Sequence, residues 1–125
     1  MEDREILALL RGPIQSVRGL ELLLLLRSSA PRTWSIKELV LELRSSVSQI
    51  EGACSRLAAT GFLTFNDSGH FSYAPVSDAL DQACAHLAVA YRERPFRVIS
   101  ALFSPDERLR SFADAFRIKG KDDDL

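Results

Sequence analysis

The chain has 125 residues, 46% of them hydrophobic and 26% charged, which is the balance of one globular domain with its own apolar core. Sixteen basic residues meet seventeen acidic ones, net −1, which excludes a polybasic nucleic-acid coat and a polyacidic tail protein but leaves room for a local basic patch. Two cysteines, Cys54 and Cys84, are too few for a disulfide scaffold.

In chain order, residues 3–11 read as a short helix, with Ile6, Leu7, Leu9 and Leu10 on one face and Gly12-Pro13 as its stop. Ser16 caps a second helix running to about Ser28. Its five consecutive leucines, Leu22–Leu26, are apolar all round, so this helix needs neighbours on more than one side. The run is also far short of the ~20 residues needed to cross a bilayer. Together with the acidic start Met1-Glu2-Asp3-Arg4-Glu5, unlike a signal peptide, it leads to the expectation of a cytoplasmic protein without membrane contact.

Ala30-Pro31-Arg32 is a turn, and Thr33-Trp34 an extended piece long enough for one bridge. Ser35-Ile36-Lys37-Glu38 has capping-box spacing, and the helix it opens carries Ile36, Leu39, Val40 and Leu43 on one stripe. A second box, Ser46-Val47-Ser48-Gln49, starts a helix through Thr60, with Val47, Ile50, Cys54 and Leu57 facing the core. Gly61 is its natural terminator. Two alternating runs, 62–65 and 70–74, flank Asn66-Asp67-Ser68-Gly69 and predict a β-hairpin. A helix over 77–94, with Leu80, Ala83, Cys84, Leu87, Ala88 and Tyr91 inward, breaks at Pro95. Phe96–Phe103 resumes it, Ser104-Pro105 starts a last helix to 117, and 118–125 is a frayed charged tail. The fold class is thus mostly α with a small β-hairpin, in a single domain over 1–125.

The order helix, extended piece, helix, three-residue turn, helix, Gly, hairpin resembles the winged helix-turn-helix superfamily of small bacterial regulators. The resemblance rests on Ser35-Ile36-Lys37-Glu38-Leu39, on the turn into Ser46-Val47-Ser48-Gln49-Ile50, and on Arg56-Leu57-Ala58-Ala59-Thr60-Gly61-Phe62-Leu63. It covers residues 16–75 as a core, with 3–11 and 77–117 as flanking helices. It implies that helix 46–60 enters the major groove of double-stranded DNA while loop 66–69 touches the backbone or the minor groove. Subtracting the core stripe leaves Ser46, Ser48, Gln49, Ser55 and Arg56 as candidate contacts, beside Glu51 and Gly52. Ser46 offers a hydroxyl and N–H groups to a phosphate, Gln49 suits adenine, and Arg56 suits guanine or phosphate.

Segment 33–61 holds three basic and three acidic residues, and 62–75 holds Asp67 but no Lys or Arg. This neutral surface supports a second reading, a winged-helix module that docks another protein. Arg92, Arg94 and Arg97, with the basic residues beyond 107, read as a solvated face or as a supplementary dock for an acidic partner. The excess apolar helix surface points to fold-back within the chain or to a homodimer, and the homodimer is the expectation. Motifs for nucleophilic, phosphate-loop or metalloprotease chemistry are missing, so the chain is not expected to be an enzyme. His70 and His86 read as fillers. With Cys54 and Cys84 they show no zinc-ligand spacing, and no cofactor or metal is expected. Cys54 reads as a small core residue rather than a redox sensor. Trp34, Phe62, Phe65, Phe71 and Tyr73 read as core packing rather than base-stacking platforms. No convergent polar cluster marks an effector pocket.

Overall fold

The computed structural model describes residues 3–103. The expected helix 105–117 and the tail 118–125 lie outside the described residues. Helix α1 spans Asp3–Leu9, α2 Val17–Ser29, α3 Ile36–Leu43 and α4 Val47–Thr60. Strands β1 (Leu63–Phe65) and β2 (Phe71–Tyr73) follow, then α5 (Asp78–Glu93) and α6 (Pro95–Ala101). The architecture is mostly helical with one small antiparallel sheet, as the residue patterns predict.

Local chemistry accounts for the helix starts. A serine precedes each of α2, α3, α4 and α5, and in each the hydroxyl oxygen accepts the N–H three residues on: Ser16 from Gly19, Ser35 from Glu38, Ser46 from Gln49, Ser77 from Leu80. At α3 the box is complete, because Glu38 Oε1 accepts the Ser35 N–H at 2.8 Å. That bond from the Ser35 backbone, with the nearby Arg32 charge, holds the Glu38 carboxyl below its ordinary value. Ser35→Ala is expected to cost about 1 kcal/mol, read as a lower urea midpoint at unchanged slope.

Three expectations need correction. Gly12-Pro13 does not end the first helix. The chain continues as a π-helical turn over Leu10–Ile14, closed by Gln15 N–H on the Leu10 carbonyl at 2.8 Å, and it ends at Gln15 in the left-handed region (φ 64°). Leu10 and Ile14 are fully buried, and their burial outweighs the breaking signals that local sequence carries. The box at α4 is half formed, since Gln49 Oε1 accepts from the Ser45 hydroxyl instead of the Ser46 N–H. Val47 is 52% exposed rather than in the core. It is the first residue of α4, and the buried stripe starts one turn later, at Ile50.

Helix α2 is the hub. Leu20, Leu22, Leu23 and Leu26 are fully buried, and α3, α4 and β2 all pack on it, which covers most of its apolar surface and leaves Leu24 and Leu25 partly buried. Gly19 allows the close approach of the π-helical turn. A Cβ there would stand 2.4 Å from the Ile14 carbonyl oxygen. Helix α1 folds back onto α5, and His86 Nδ1 lies 3.0 Å from Glu5 Oε1 across that contact.

Gly61 ends α4 at φ 104°. Its N–H reaches the Ala58 carbonyl and the Phe62 N–H reaches the Leu57 carbonyl, a Schellman closure with Phe62 and Leu57 both fully buried. The hairpin pairs Leu63 with Tyr73, Thr64 with Ser72 and Phe65 with Phe71. Asn66 Oδ1 accepts the N–H groups of Ser68 and His70, so the loop runs through His70 and each strand is shorter than predicted. On the far side of β2, Trp34 and Phe71 exchange two backbone hydrogen bonds of 2.7 Å, so the extended piece at Trp34 makes its single bridge.

Candidate nucleic-acid interface

The turn Arg44-Ser45-Ser46 sets α4 against α3. Arg44 takes the left-handed conformation (φ 53°), and its N–H closes on the Val40 carbonyl. Ile50, Ala53, Cys54 and Leu57 then bury one side of α4. The opposite side carries the residues expected to make contacts. Ser46 is the N-cap; its oxygen accepts the Gln49 N–H and lies 3.4 Å from the Ser48 hydroxyl, either of which can donate to the other. Ser48, Gln49 and Ser55 are exposed.

Arg56 departs from expectation. It is half-buried, and its Nε donates to the Pro13 carbonyl at 3.3 Å. The side chain runs back along α4, and Nη1 lies where a Cβ on Gly52 would meet it at 3.4 Å. Sequence spacing cannot supply this tether, because Pro13 and Arg56 meet only through the packing of α4 on the π-helical turn.

A cleft of about 530 Å³ lies between α4 and the first turns of α2. Ser48, Gln49, Gly52 and Arg56 form one wall, and Arg18 and Glu21 the other. Arg18 Nη1 sits 2.6 Å from Glu21 Oε1, so the second wall is internally neutralised. Sequence alone does not mark Arg18 or Glu21 as part of this surface. Helix periodicity places them on one side of α2, but the meeting of that side with α4 is tertiary. Glu51 is exposed on α4 beside the cleft. The hairpin adds Asp67 and no Lys or Arg.

The aromatics divide. Phe62 and Trp34 are buried, and Trp34 is held by its indole N–H on the Ser29 hydroxyl and by Arg32 stacked 3.6 Å above its ring. Phe65 corrects the expectation of core packing. It is 63% exposed and meets Phe71 with ring centroids 5.6 Å apart, because the short strand projects it beyond the helices that cover Leu63. Both thiols are buried. Burial, with Glu51 nearby, pushes Cys54 up to about 12, and burial pushes Cys84 to about 11, values that suit packed, unreactive sulfur. Among the described residues no group of three or more His, Cys, Asp or Glu side chains is placed to hold a metal ion, and no helix is long and apolar enough to cross a membrane. No family model matches the chain, and no curated protein or solved structure is significantly similar to it.

Proposed function

We propose that residues 16–75 are a winged helix-turn-helix and that the chain binds double-stranded DNA through α4, as a transcription-regulator-like protein. The observation that carries the reading is the sheet order. Trp34, lying before α3, bridges β2, which pairs with β1, so the chain leaves this small sheet at Trp34, forms α3 and α4, and returns to it as β1 and β2. In this reading α4 lies in the major groove. Ser46 donates its hydroxyl to a phosphate at the helix N-terminus, Ser48 and Ser55 face the groove, and Gln49 leaves Ser45 to read a base edge. Arg56 leaves Pro13 to reach guanine or a phosphate.

Few cations line this face, so affinity falls only gently with salt. With Lys37, Arg44 and Arg56 as donors, the log–log slope is roughly −3, at about −0.9 per phosphate. The reading includes a homodimer, which sets two copies of α4 on half-sites about one helical turn apart.

The test is electrophoretic retention of genomic DNA fragments at low salt. The parent protein is expected to retain a subset of fragments, and the Gln49→Ala/Arg56→Ala double variant to bind them at least tenfold more weakly. Equal retention by both, or none by the parent, overturns the reading. A second reading, a winged helix that docks a protein, draws on the hairpin, where an exposed Phe65 stands in place of the basic residues that phosphate contact needs. In that case Phe65→Ser abolishes capture of one stoichiometric protein, and DNA is not retained.

A further inference from the structure

Further along the same side of α2, and sharing Arg18 and Glu21 with the α4 cleft, lies a second groove, of about 530 Å³. Leu24 and Leu25 of α2, Leu43 of α3 and Tyr91 of α5 give it an apolar floor, and Arg27 and Arg44 stand on its walls. It follows α2 from Arg18 to Ser28, roughly 15 Å of helix at 1.5 Å per residue. Its size falls in the range of small-molecule sites, and so does its make-up, an apolar lining with a few polar groups.

The charges are unevenly matched. Arg18 is closed on Glu21 at 2.6 Å. Arg27 is half-buried, and its Nε is shielded from solvent without a hydrogen-bond partner, the one such side-chain nitrogen or oxygen found among the described residues. Glu42 also lines the groove. With Arg18 closed on Glu21, the remaining lining charges are Arg27, Arg44 and Glu42, a net positive set that suits an anionic occupant.

We infer that this groove binds a small amphipathic organic anion, its carboxylate on Arg27 with Arg44 adding charge and its apolar body on Leu24, Leu25, Leu43 and Tyr91. The site adjoins the proposed DNA surface, sharing Arg18 and Glu21 with its cleft, but its occupancy is read on the chain without DNA and does not depend on that reading. Its third wall is the end of α3, so an occupant touches the turn that aims α4.

The probe is octanoate, titrated into the full chain and followed by backbone amide NMR, with 1-octanol and octylammonium as matched controls. Octanoate is expected to shift amides of α2, the α3 end and α5 in a saturable way, and to bind at least tenfold more tightly than either control. Arg27→Met, which keeps the alkyl stem, is expected to weaken octanoate at least tenfold. Arg44→Gln, on an exposed side chain, is expected to weaken it several-fold and serves as the deciding variant if Arg27→Met does not fold. No saturable shift, equal binding of 1-octanol, or full affinity in the folded charge variants overturns the site.

Discussion

Phe62→Ala is expected to lower stability by about 3–5 kcal/mol, the usual range for truncating a fully buried phenylalanine. Among the described residues Phe62 is the largest side chain with no exposed surface, and it follows directly on the glycine that ends α4. Its ring packs in the apolar core with Leu57, and its carbonyl accepts the Ala74 N–H across the base of the hairpin. Truncation opens a cavity where α4, the hairpin and α2 converge, and a domain of this size has only about 5–15 kcal/mol to lose. Urea denaturation followed by the fluorescence of Trp34, the single tryptophan, measures the change. Phe65→Ala, three residues further on and mostly exposed, is the control and is expected to stay within about 0.5 kcal/mol. Equal losses for both would mean that the hairpin face is assigned the wrong way round.

Gly19→Ala is expected to destabilise by about 1–3 kcal/mol, against the direction that helix propensity gives. Alanine is favoured over glycine in a helix interior by about 1 kcal/mol, so propensity alone predicts a gain. The added methyl would lie 2.4 Å from the Ile14 carbonyl oxygen, and that oxygen is backbone, pinned by the buried Leu10 and Ile14 on either side of the π-helical turn. Either α2 moves off the turn or the turn unwinds. Gly52→Ala makes the comparison: its methyl meets only the far end of the Arg56 side chain, at 3.4 Å, and a gain of up to about 1 kcal/mol is expected. Thermal unfolding of the two variants should therefore shift in opposite directions.

What the sequence discloses and what it hides separate along a physical line. The caps at Ser16, Ser35 and Ser46, the terminator at Gly61 and the turn at Asn66–Gly69 are visible because each is settled by residues within four positions of one another. The apolar stripes of α3, α4 and α5 are visible for the same reason, as one side of a helix is a local periodicity. The π-helical turn is hidden because Gly12-Pro13 says stop and only the burial of Leu10 and Ile14 against α2 and α4 overrules it. The proposed contact residues are legible as an exposed face, but the tether of Arg56 to Pro13 and the Arg18–Glu21 wall come from elements far apart in the chain. The Arg27 groove is hidden in the same way, since its floor is assembled from three separate helices.

The paired hydrogen bonds between Trp34 and Phe71 fasten the chain to itself just before α3 and again midway through the hairpin. Everything between those two residues, both helices and the first strand, is therefore a closed circuit with a single clasp. Closing that loop limits how far α3 and α4 can open away from the hairpin without breaking both bonds.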